Sequence, residues 1–82
     1  MTKQEVFEKT RDLIAEHLGI EDKTKILPDT NLSNEFGADS LDAVEIIMEI
    51  EKAFGVSIDW SFAQEVNSVS DITNRIEELL HI

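Results

Sequence analysis

Apolar residues recur at helical spacing through most of this chain, and glycines punctuate the stretches. Val6, Phe7, Leu13, Ile14 and Leu18 fall on one face of a first helix, which Gly19 can end in the left-handed conformation. Thr2-Lys3-Gln4-Glu5 opens that helix as a capping box, and the segment shows no β-type alternation. A second helix is expected from about Ser40 to Ala53, with Asp39 as its cap, Asp42 in its first turn and Gly55 as its stop. Its core side gathers Ala43, Ile46, Ile47, Ile50, Ala53 and Phe54. Residues 59 to 66 predict a short third helix with Asp59 as cap. Ser70 is the expected cap of a fourth, whose stripe is Val69, Ile72, Ile76, Leu79 and Leu80. The fold class that follows is all-α: a four-helix bundle with a long loop between helices 1 and 2 and a short third helix. Residues 1–82 form a single domain on this reading.

Residues 20 to 38 make up the long connection, with turns marked by Pro28-Asp29 and Asn31; its length suggests either function or a short helical turn whose place the sequence leaves open. Ile26, Leu27, Leu32 and Phe36 are expected to pin it to the core. With 82 residues, no cysteine and no metal-ligand spacing, packing alone must hold the core. No apolar run approaches the roughly 20 residues of a membrane span, and the first residues lack a signal peptide's apolar stretch. The expected location is cytoplasmic or an organelle matrix.

Net charge is −11, from 18 acids and 7 bases. This argues against nucleic acid and anionic membranes as partners and favours basic protein surfaces. The distribution is sharper than the sum. No Lys or Arg stands between Lys25 and Lys52, while Asp29, Glu35, Asp39, Asp42, Glu45, Glu49 and Glu51 do.

Two features meet on the second helix. Leu41, Val44 and Met48 lie opposite its core face, at i, i+3 and i+7. They read as an exposed apolar patch with an acidic rim, suited to protein docking, unless the long loop or the third helix covers them. At the helix head stands Ser40, within Gly37-Ala38-Asp39-Ser40-Leu41-Asp42. A nucleophilic serine needs a base, and none is near in sequence; His17 and His81 look isolated. A serine modified by another enzyme needs only exposure. A phosphodiester there would lie close to unpaired backbone N–H groups and the positive end of the helix dipole. No acid–base pair or metal set can be assembled, so the chain is not expected to be an enzyme. A calcium loop beginning at Asp29 fails at Asn34, where glycine is needed, and at Ser40, where glutamate is needed. An acidic helical interaction domain that is never modified remains the alternative.

Over residues 2 to 80 the chain resembles acyl carrier proteins of fatty-acid and polyketide type. The resemblance rests on Leu18-Gly19-Ile20, the hexapeptide around Ser40, Val44-Glu45, Met48-Glu49-Ile50-Glu51, Phe54-Gly55-Val56 and Ile58. It implies a non-catalytic carrier, modified on Ser40 with 4′-phosphopantetheine by a phosphopantetheinyl transferase. Acyl chains would ride on the arm as thioesters. Acyl-transferring and synthase enzymes would dock through basic patches on Asp39, Leu41, Asp42, Val44, Glu45, Met48 and Glu51. The family also shelters the acyl chain between its helices, for which Ile47, Ile50, Ala63, Val66 and Ile72 are the candidates here; the chain itself is expected to be a monomer without stable membrane insertion. Lys52, the pair Asp59-Trp60 and an acid-poor third helix with two aromatics depart from the housekeeping pattern. They leave room for a carrier dedicated to one specialised pathway.

Overall fold

The computed structural model describes all 82 residues. Helix α1 spans Lys3–Leu18. Its capping box forms as expected: Thr2 Oγ1 accepts from the Glu5 N–H at 3.1 Å, and Glu5 Oε1 accepts from the Thr2 N–H at 2.8 Å. Gly19, at φ +69°, ends it. The face α1 buries is centred on Val6, Thr10 and Ile14, with Phe7, Leu13 and Leu18 at its margins. Thr10, a polar residue absent from the expected stripe, is wholly buried.

The long connection does contain short helical turns, and the structure gives their place. A 3₁₀ turn at Lys23–Lys25 is followed by the five-residue helix α2, Leu32–Phe36. Asn31 Oδ1 caps α2 on the Asn34 N–H, and Gly37 ends it. Ile26 and Leu32 are buried and Phe36 packs on the core, as expected; Leu27, by contrast, is 53% exposed. The buried Thr30 takes over the anchoring that Leu27 was expected to provide. Its Oγ1 accepts from the Leu27 N–H at 2.8 Å, and its carbonyl accepts from Val69 N–H at 3.1 Å. The Asn31–Ser68 bridge and the Ser70 N–H donated to Pro28 O complete the tie.

Helix α3 spans Ser40–Phe54 and lays Ile46, Ile47 and Ile50 into the core. Lys9 of α1 reaches across to donate to Ala53 O at 2.9 Å, where a cation suits the negative end of α3. The predicted third helix shrinks to one turn, α4, Phe62–Glu65. Asp59 does not cap it; its Oδ1 accepts from the Ser61 N–H in the preceding turn. Helix α5 is Val69–Leu80, and its cap is Ser68 rather than Ser70. The correction has a local cause. Asp71 lies three residues after Ser68 and closes a capping box with it, its Oδ2 accepting from the N–H groups of Ser68 and Asn67. Helix α1 packs against both α3 and α5, and α4 lies over α3. The long helices are thus three, with α2 and α4 as short pieces at one side of the bundle.

Candidate functional site

Ser40 is the first residue of α3, and its side chain is exposed. Asp39 precedes it as the cap. Asp39 Oδ1 accepts from the Asp42 N–H at 2.9 Å, and Asp42 Oδ2 accepts from the Asp39 N–H at 3.0 Å. This reciprocal box holds the turn rigid and leaves the N–H groups of Ser40 and Leu41 without a helical acceptor. The Asp39 N–H holds the Asp42 carboxyl below the usual carboxylate range, and the hydrogen bond to His17 adds to the effect.

His17 is not isolated, as its place in the sequence suggests. From the last turn of α1 its Nε2 stands 3.2 Å from Asp42 Oδ1 and 3.6 Å from Glu45 Oε2. Its hydrogen bond to Asp42 ties α1 to the expected docking face, with the Glu45 carboxylate alongside. His17 does not reach Ser40, so the serine has no base of its own.

Beside Ser40 opens a cleft of about 500 Å³ between α2, α3, α4 and the start of α5. Four of the five residues proposed to shelter an acyl chain border it: Ile47, Ala63, Val66 and Ile72. Ile50 does not; it is fully buried in the core. Ser40 lies on the rim, so a group on its hydroxyl would meet free N–H groups, the positive helix end and an adjoining apolar cleft. These residues fit a phosphopantetheine ester.

The opposite side of α3 carries the second stripe. Leu41 is 63% exposed and Met48 47%, while Val44 is half-buried. Residues ahead of α4 partly cover Val44: a small notch there is lined by Val44, Met48, Glu51, Ile58 and Trp60, together with Ile47 and Ala63, which also border the cleft. Glu45 and Asp39 are exposed. Glu51 is half-buried, and its Oε2 accepts from the Ile58 N–H at 2.9 Å, so this acid also holds the loop after α3. Trp60 is 75% exposed and joins the patch. A tryptophan outside any core stripe is the sequence signal for it. The candidate calcium loop is not a loop, because Ser33 and Asn34 are in α2.

The capped head of α3 thus sets an exposed serine hydroxyl beside an apolar cleft. Residues 8–76 match the family described as "Phosphopantetheine attachment site". The sequence is 40% identical over 78 residues to an acyl carrier protein of Guillardia theta, covering 95% of each chain. It is 35% identical over 79 residues to an acyl carrier protein of Thermotoga maritima, covering 96% of each. Its fold matches a solved structure of the acyl carrier protein from Enterococcus faecalis with a TM-score of 0.78 at 28% identity, covering 96% of this chain and 99% of that one. The chain belongs to the acyl carrier protein family. Members are carriers, not enzymes, and their prosthetic group is phosphopantetheine. They work with synthases and transferases, and no helix of this chain is long and apolar enough to cross a membrane.

Proposed function

We propose that the chain carries acyl intermediates as thioesters on a 4′-phosphopantetheine arm esterified to Ser40, in fatty-acid synthesis or a specialised acyl or polyketide pathway. The observation that carries this reading is the exposed Ser40 hydroxyl at the capped head of α3, on the rim of the cleft and within the family's matched residues. In the modification, Ser40 Oγ forms a bond to the phosphorus next to pantetheine in coenzyme A. The pyrophosphate bond breaks, adenosine 3′,5′-bisphosphate leaves, and the hydroxyl proton goes to a base of the transferase. The chain contributes an accessible oxygen and the N–H groups of Ser40 and Leu41 to the ester's charge.

Asp39, Leu41, Asp42, Val44, Glu45, Met48 and Glu51 are the docking residues on this reading. The acids steer and orient a basic partner, and Leu41 with Met48 supplies apolar contact. A monomer in the cytoplasm, with 1–82 as one carrier domain, completes the proposal. The test is intact-protein mass after incubation with coenzyme A and a broad-specificity phosphopantetheinyl transferase. The wild type should gain one phosphopantetheine and Ser40→Ala none. No gain on the wild type, or equal gain on both, refutes the assignment; the first result favours an unmodified interaction domain.

A further inference from the structure

The rim of the cleft has an unusual composition for this chain. Four of the six carboxamides in the whole sequence, Asn31, Asn34, Gln64 and Asn67, border it, although its lining is only 15 of the 82 residues. Asp39 is the lone charged residue of that lining, in a protein that is 30% charged. The carboxamides sit on two facing walls. Asn31 and Asn34 belong to the cap and body of α2, while Gln64 is in α4 and Asn67 precedes α5. Between them lies the apolar floor of Ile46, Ile47 and Ile72. The walls are fixed in relation to each other by the Asn31–Ser68 bridge and the Val69 N–H donated to Thr30 O.

Little of this amide capacity is used within the chain. Asn31 spends its oxygen on the cap of α2, and Asn67 makes one long bond, of 3.4 Å, to Glu65 O. The side chains of Asn34 and Gln64 have no partner in the protein. A carboxamide both donates and accepts without charge, so such a rim suits a neutral ligand with its own amide or carbonyl groups. Apart from Asp39 at the attachment point, the lining carries no charge that such a ligand would have to match.

We propose that this carboxamide collar binds the two amide groups of the pantetheine arm. The inference rests on the attachment of that arm to Ser40. Asn34 and Gln64 grip the arm from opposite walls, next to the rim where Ser40 anchors it. The apolar floor beyond them receives the end of the arm. The carrier at rest therefore withdraws its thiol from solvent.

The experiment uses the full chain, first modified with coenzyme A and the transferase and weighed. The thiol is then alkylated with N-ethylmaleimide, an uncharged reagent, in the wild type and in the Asn34→Ala/Gln64→Ala variant. Both residues are exposed and the substitutions preserve net charge; circular dichroism verifies the fold. The variant should react about three- to tenfold faster, the factor that one or two net amide hydrogen bonds supply. In the wild type, the side-chain NH₂ resonances of Asn34, Gln64 and Asn67 should move on modification. Full modification with equal alkylation rates and unmoved NH₂ resonances overturns the collar and leaves the Ser40 reading intact. Absence of the mass gain refutes both, and is seen before alkylation begins.

Discussion

Thr10→Val should stabilise the protein. Thr10 lies in the middle of α1, between Val6 and Ile14 on the buried face, and is 0% exposed. Its hydroxyl has no hydrogen-bond partner. A buried hydroxyl without a partner costs about 1–3 kcal/mol in proteins. Valine has nearly the same shape, keeps the β-branch and has a similar helix propensity, so it removes that cost without a cavity or a propensity change. The methyl that replaces the hydroxyl adds burial worth about 0.8 kcal/mol at most. A net gain of about 1–2 kcal/mol is expected. In a chain of this size each kcal/mol moves Tm by about 4–8 °C, so the rise should be roughly 5–15 °C. That is a large fraction of the roughly 4–12 kcal/mol expected for the whole domain. Urea unfolding followed by circular dichroism, with thermal melts in parallel, measures it; the midpoint should rise with the slope unchanged. An equal or lower midpoint at the same slope would show that the hydroxyl is bonded, and the account of the α1 interface would be wrong.

The two faces of α3 should separate in mutagenesis. Ile50→Ala, at a wholly buried site, should lose about 2–5 kcal/mol by urea unfolding, whereas Met48→Ala should melt near wild type and slow phosphopantetheine transfer. Equal destabilisation by the two would place Met48 in the core and refute the docking face. Acid should weaken the fold through the start of α5. The N–H of Ser68, and then that of Asn67, holds the Asp71 carboxyl below the usual range. A depressed folded pKa means stability that is present above the unfolded value and lost as pH falls through the folded one. Tm should therefore drop as pH falls from the ordinary carboxylate range downward. Asp71→Asn should melt lower at neutral pH and show a shallower acid decline; an unchanged decline in thermal melts would exclude this cap as its source.

What the sequence determined by itself is local. The capping box at Thr2 and Glu5, the cap at Asp39, and the stops at Gly19 and Gly55 each depend on residues within a few positions, and each forms where its pattern lies. The apolar period of α1, α3 and α5 was legible because it repeats over three or more turns. Even the cap of α5 was written in Ser68-Val69-Ser70-Asp71, though the nearer serine obscured it. Helix α2 was not legible: five residues are too few for a period, and the tie between Thr30 and Val69 orders its approach from a distance. Nor could sequence place His17 beside Asp42 and Glu45, since the crossing of α1 over α3 brings them together across 25 positions or more. The carboxamides of the cleft come from two short stretches, 31–34 and 64–67, and come to border one cleft only when α2 and α4 flank α3. Capping and period act through neighbours in the chain, whereas a site made of facing walls is decided by packing.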